Sequence, residues 1–422
     1  MTVNDFAQRL SGANRILTPL LWPIAILSII HRTWFTTGVT DDFTTVFTAV
    51  KRFNDGVPVY TENYLTVDPH YLYSPGGTLL LAPMAWLGDY DTARFWFVAL
   101  QSAAIVAAVV FLFRWLGFNR SDWFIPAVLI ALYHSEPVLH TLEFTNVNGS
   151  LLLAEVLFLW ALLNRREVLA GVLLGLCIAI KPLFAPLLLI PLIYKQWKNI
   201  AAAIAVPVVA NLVAWPLMVR SSDYFTFVTP YLGEIREYAN SSLTGQLYWA
   251  GAPELLILLW RGAFGLLVLA TVVLLWQWCK SDPFFWASTT AGVLLTGVFL
   301  ISSLGQQYYS ILLLPMIATV LMGSTARTAL ANVGAGVALF GCFFYGSWIL
   351  EDPGTIGAWF DVAIVTIAWA LLLLTVFAST LRMTIFERFG TQDQDPQRTQ
   401  QPPSQSSLET TTEEPKVKQN HD

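Results

Sequence analysis

The sequence predicts an all-α, polytopic membrane protein of about 12 transmembrane helices (11 to 13), and three observations predict it. Of the 422 residues, 55% are hydrophobic and only 12% charged, against roughly 25% charged in an ordinary soluble domain. Mean hydropathy is +0.58. The apolar residues also gather in runs near the ~20 residues that an α-helix needs to cross a bilayer.

In chain order the runs are 16–35, 92–114, 122–135, 149–163, 168–181, 183–194, 200–219, 255–278, 284–303, 308–323, 328–350 and 357–381. A further run at 75–88, from Pro75 to Gly88, is shorter and decides the parity of everything after it. Lys and Arg placement arbitrates, because cytoplasmic loops carry the excess of basic residues. If 75–88 does not span and the N-terminus is inside, the loops with Arg114 and Arg120, Arg165 and Arg166, Lys195 and Lys198, Lys280, Arg327, and Arg382 and Arg388 all face the cytoplasm. If it spans, all of them move outside. The expectation is therefore a short re-entrant helix at 75–88, both termini cytoplasmic, and an outer face shared by 36–91, 136–148, 220–254 and 304–307.

The N-terminal run follows Arg9 and Arg15 without a small-residue cleavage pattern and reads as a retained signal anchor. Residues 1–389 form one membrane domain. Residues 390–422 are rich in Gln, Thr, Pro and Ser, cannot bury a core, and read as a disordered cytoplasmic tail. Cys177, Cys279 and Cys342 all fall in or at the ends of apolar runs, which suggests packing rather than a disulfide framework or a thiolate metal site.

Just after the first run stands Thr40-Asp41-Asp42-Phe43. A charged side chain in hydrocarbon costs roughly 2.5 to 3.5 kcal/mol, so it persists mainly where it faces a water-filled cavity, a substrate or a partner. Phe43, Val46, Phe47, Val50 and Phe53 share one helical face, which predicts an amphipathic interfacial helix ended by Gly56 and Pro58. One acid suffices as its N-cap. The second is left to act as a general base.

The next polar stretch, Asp68-Pro69-His70-Tyr71-Leu72-Tyr73-Ser74-Pro75, is either a rigid turn or a substrate-lining loop, since His70, Tyr71 and Tyr73 offer rings with polar tips. In the loop after 122–135, His134, Glu136, His140 and Glu143 follow no recognised metal-ligand spacing. Hydrogen bonding of a polar substrate by His140, Glu143, Asn146 and Asn148 is the stronger reading. Lys181, in Ile180-Lys181-Pro182, either snorkels to headgroups or binds a lipid phosphate as a point charge. Arg261 is a second phosphate candidate, able to bind in bidentate fashion. Ser302-Ser303-Leu304-Gly305-Gln306-Gln307-Tyr308-Tyr309 is a polar turn, with Gln306, Gln307 and Tyr308 suited to sugar hydroxyls or to simple capping.

No Walker loop, dinucleotide fingerprint, zinc-protease helix or nucleophile elbow occurs, and the scattered basic residues exclude nucleic acid as a partner. The ordered set that remains is Asp42 with Ala49, Gly56 and Tyr60 behind it, Tyr73-Ser74-Pro75 before Leu79-Leu80-Leu81-Ala82-Pro83, Asn146-Val147-Asn148, and Lys181-Pro182. This set resembles the GT-C superfamily of polyprenyl-phosphate-dependent glycosyltransferases, most closely its mycobacterial and corynebacterial α-(1→3)-arabinofuranosyltransferases. The resemblance implies transfer of arabinofuranose from decaprenyl-phospho-arabinose to the 3-hydroxyl of a cell-wall arabinan on the outer face of the cytoplasmic membrane. Asp42 would be the base, with Asp41 in reserve, and Lys181 and Arg261 would stabilise the leaving phosphate. No cofactor is implied and a divalent ion is not demanded. The alternatives are a polyprenyl-phospho-mannose-dependent enzyme of the same superfamily and, from another class, a lipid-linked sugar flippase.

Overall fold

Apolar runs of this kind can satisfy their backbone only by coiling, and in the computed structural model every regular element among the described residues is a helix. The structure describes residues 3–35, 41–66, 70–119, 121–236, 239–321, 329–343 and 354–389, without the side chains of 3–11, 41, 354–361 and 386–389. The expected tail 390–422, Thr40, Asp68, Pro69, Arg120, Arg327 and the side chain of Asp41 lie outside that description.

The main helices are α1 (Val3–Trp34), α2 (Asp41–Asn54), α3 (Pro75–Leu81), α4 (Tyr90–Trp115), α5 (Phe124–Tyr133), α6 (Glu136–Glu143), α7 (Asn148–Leu163) and α8 (Glu167–Ile180). They continue as α9 (Leu189–Ile193), α10 (Trp197–Leu217), α11 (Thr229–Gly233), α12 (Leu243–Trp249), α13 (Glu254–Leu275), α14 (Pro283–Ile301), α15 (Leu314–Ala318), α16 (Val333–Phe343) and α17 (Gly354–Phe389). Six segments are long and apolar enough to cross a membrane: Gly12–Trp34, Tyr90–Trp115, Trp197–Leu217, Glu254–Trp278, Pro283–Ile301 and Val362–Ile385. The other apolar runs form shorter helices. Pro182 and Pro186 hold the start of the 183–194 run in a 3-10 turn, Pro182–Leu188, because proline removes a backbone donor and crowds the preceding turn.

Helix α2 forms as its periodicity predicts. Phe43, Phe47 and Val50 are buried, each contributing roughly 1.5 to 3 kcal/mol on burial, and Gly56 ends the helix at φ +66°. The run at 75–88 is a short α-helix followed by a 3-10 turn, Ala82–Leu87. Ser74 caps α3 by accepting the Gly77 N–H at 3.2 Å, and Gly76 lets α3 approach α10 so closely that a Cβ there would lie 2.7 Å from the Asn211 nitrogen.

Helix α14 is buried along nearly its whole length, whereas α1, α10 and α13 expose apolar faces at Ile16, Leu212 and Leu266. Helices α4 and α7 cross at Gly149, where a Cβ would collide with the Gln101 carbonyl. Beside that crossing, the Gln101 side chain accepts the Ser150 N–H at 2.8 Å, so a polar group in the interior is satisfied.

Replacing Gly149 by valine forces α4 and α7 apart and should destabilise the protein by roughly 1 to 3 kcal/mol. Gly262→Ala on α13, with nothing within 4 Å of the added Cβ, should be neutral or slightly stabilising. Thermal unfolding in detergent checks both, and equal effects would refute the close crossing.

Candidate active site

Three chain turns and one helix start place the polar groups. Lys181 ends α8 in an extended conformation, φ −132° and ψ 105°, because the following Pro182 disfavours helical geometry at the preceding residue. Asn146 leaves α6 through a Schellman turn, in which its N–H donates to Thr141 O at 2.8 Å and the Thr145 N–H donates to Leu142 O at 3.1 Å. Thr145 occupies the left-handed position at φ 56°, where glycine is usual and a β-branched residue is strained. Tyr308 follows the Gly305 turn, whose N–H donates to Asn240 Oδ1 at 2.9 Å. Asp42 stands in the first turn of α2.

These residues meet around a cavity of about 660 Å³. Asn146 Nδ2 donates to Asp42 Oδ2 at 3.1 Å, and the Tyr308 hydroxyl donates to the same oxygen at 3.2 Å. Asp42 Oδ1 is left without a protein partner among the described residues. Lys181 Nζ donates to Asn146 Oδ1 at 3.0 Å and to Asn148 Oδ1 at 2.8 Å, and it sits 4.8 Å from the Tyr309 ring centroid and 5.4 Å from that of Tyr308. The Asn146 amide thus bridges cation and anion, its oxygen toward the ammonium and its nitrogen toward the carboxylate. The two donors fix the carboxylate's rotamer.

Of the other predicted residues, His70, Tyr73 and Gln306 line the cavity. His70 Nδ1 lies 3.4 Å from Glu62 Oε2, and its ring packs against Tyr64 and Tyr231. Tyr71 is buried outside the lining, donating its hydroxyl to Thr78 Oγ1 at 2.8 Å and its N–H to Glu62 Oε2 at 2.6 Å. Burial pushes the phenols of Tyr60, Tyr64 and Tyr71, in the stretch between α2 and α3, well up, so they act as neutral donors. Asn148 lies behind the lining as a holder of Lys181. His140 turns along its own helix to Glu136 at 3.1 Å. Glu143, Gln307 and Arg261 are not among the lining residues, and Arg261 is exposed on α13.

Ser302, Ser303 and Tyr309 of the same polar turn line the cavity too, and so do two residues that the sequence did not single out, Tyr224 and Arg236. Two acid–histidine pairs, Glu62 with His70 and Glu136 with His140, are the nearest approaches to a metal site. Among the described residues no three His, Cys, Asp or Glu side chains come together.

The site is thus an acid held by a neutral donor pair beside a cation, in a cavity of an all-helical protein with several helices apolar enough to cross a membrane. Comparison with known proteins supplies the family. The sequence profile of glycosyltransferase family 87 matches residues 71–303, and the chain belongs to that family. It is 42% identical over 376 residues to an α-(1→3)-arabinofuranosyltransferase of Corynebacterium glutamicum, covering 88% of this chain and 89% of the relative. It is 40% identical over 384 residues to one of Mycolicibacterium smegmatis, covering 89% and 88%. It is 39% identical over 369 residues to one of Mycobacterium tuberculosis, covering 86% and 84%. The protein is a glycosyltransferase.

Because Asn146 and Tyr308 donate to one Asp42 oxygen, removing both donors should be non-additive. Tyr308→Phe alone should cost roughly tenfold in kcat, about 1.4 kcal/mol, and a double-mutant cycle with Asn146→Ala should show a coupling above about 0.5 kcal/mol. Strict additivity in kcat would contradict the shared-oxygen geometry.

Proposed function

We propose that this protein transfers arabinofuranose from decaprenyl-phospho-arabinose to the 3-hydroxyl of a cell-wall arabinan, creating α-1,3 branches by inverting displacement. The observation that carries the reading is the Asp42 carboxylate, pinned through Oδ2 and open to the cavity through Oδ1. The curated relatives' names supply sugar and linkage.

In the proposed step the acceptor oxygen attacks the anomeric carbon from the face opposite the phosphate. The acceptor proton passes to Asp42 Oδ1, the new carbon–oxygen bond forms, and the old bond's electron pair leaves with decaprenyl phosphate. That leaving group is already a stable anion, so general-acid help is dispensable and the barrier falls by positioning and by positive potential. Lys181 supplies part of that potential. Asp41 stays the reserve base. His70, Tyr73, Gln306 and Tyr308 offer polar contacts for sugar hydroxyls.

The finer topology belongs to the same proposal. The chain would cross the cytoplasmic membrane about 12 times with α3 and its 3-10 turn re-entrant, residues 1–389 as one domain, and both termini and the 390–422 tail in the cytoplasm. The shorter helices that coincide with the remaining runs and the bias of Lys and Arg toward one set of loops support it. The active site would then face outward, where cell-wall acceptors are.

Purified protein supplied with polyprenyl-phospho-arabinose or polyprenyl-phospho-mannose and a synthetic arabinan should transfer arabinose alone. Asp42→Asn should lose roughly 10²- to 10⁴-fold in kcat while still binding donor lipid. Mannose transfer would replace the sugar assignment, and an Asp42→Asn variant with full turnover would remove Asp42 from the mechanism.

A further inference from the structure

The Lys181 ammonium, the first cation expected to meet the donor phosphate, is already committed. It spends two donors on Asn146 and Asn148, and the Tyr309 face lies 4.8 Å away. Its geometry is that of a positioning residue, which orients the amide that orients Asp42. Arg261, the second expected cation, is exposed on α13 and absent from the cavity lining.

A different cation lines the cavity. Arg236 follows α11 in the 220–254 loop, half-buried at the cavity wall. Its guanidinium lies 4.6 Å from the Tyr231 ring centroid, and that ring is itself fixed by edge contacts with Tyr64 and His70. The backbone is fixed too. Asn240 Nδ2 donates to both Arg236 O, at 2.9 Å, and Ser303 O, at 2.8 Å, tying the loop to the neighbouring serine turn. No carboxylate among the described residues pairs with Arg236. A guanidinium held over a ring still has an N–H edge to offer, and that edge matches two oxygens of a phosphate.

Arg236, Asp42 and Tyr309 line the same cavity. Apolar side chains line the cavity as well, among them Ile178, Ile180, Leu183 and Pro207. A phosphate carried on a hydrocarbon chain satisfies both kinds of lining at once, whereas free phosphate satisfies only one.

We propose that Arg236 grips the phosphate of the lipid-linked donor, with Lys181 reserved for positioning the base. This rests on the donor class proposed above. The test uses full-length protein in nanodiscs and measures binding of decaprenyl phosphate, of decaprenol and of inorganic phosphate to wild type, Arg236→Gln and Arg236→Lys. Wild type should prefer decaprenyl phosphate over decaprenol, and Arg236→Gln should weaken decaprenyl phosphate binding roughly 10- to 100-fold with decaprenol affinity unchanged. Arg236→Lys, which keeps the charge and loses the fork, should fall between. Inorganic phosphate should show no Arg236-dependent binding. Loss of both lipids in Arg236→Gln would mean a structural role and overturn the assignment, as would full retention of decaprenyl phosphate or Arg236-dependent binding of inorganic phosphate alone. A wild type without preference between the two lipids would overturn the donor reading itself.

Discussion

The site depends on one interaction, the Asn146 amide bridging the Lys181 ammonium and the Asp42 carboxylate. In a chain with so few charges, an isolated buried ion is costly, and removing one partner of a buried pair leaves the other uncompensated. An intervening amide lets the two charges stabilise each other without direct contact, so the carboxylate keeps an oxygen for a substrate. A direct Lys–Asp salt bridge would occupy that oxygen. The amide can satisfy both groups in one orientation only, since its oxygen must face the donor and its nitrogen the acceptor.

That constraint explains local choices that otherwise look unrelated. Pro182 stops α8 where the lysine must project. The strained left-handed Thr145 aims Asn146 back over the cavity, and strain of this kind persists where surrounding structure over-determines it. Asn148 starts α7 and anchors the ammonium from behind, while the buried Asn240 side chain ties the 220–254 loop to the turn before Tyr308. Each element arrives from a different part of the chain, so rigidity comes from several turns held by side-chain hydrogen bonds rather than from one helix.

The residues that were legible in the sequence are those whose type conflicts with their setting. Asp42 and Lys181 stood out because charge beside apolar runs needs a reason, and the α2 face could be read from helical period. What sequence could not supply was direction and distance. His140 falls one turn after Glu136 on α6 and pairs along the helix. Arg261 lies on an outward face of α13, which a nearly uniform apolar helix does not reveal. Arg236 carries no local signal, because an arginine in a polar loop is ordinary, and its place at the cavity depends on hydrogen bonds across more than sixty residues.

The division of labour between the cations follows from their chemistry. An ammonium is a compact point charge whose donors can turn to two carbonyl-type oxygens on separate elements, which suits a linchpin between Asn146 and Asn148. A guanidinium is planar, and over the Tyr231 ring its N–H edge still matches two oxygens of one phosphate. A lysine at the wall would lose the planar match to two oxygens. The proposed transfer, with its phosphate leaving group, needs a base held still and an anion held firmly, and Lys181 and Arg236 are each suited to one of these tasks.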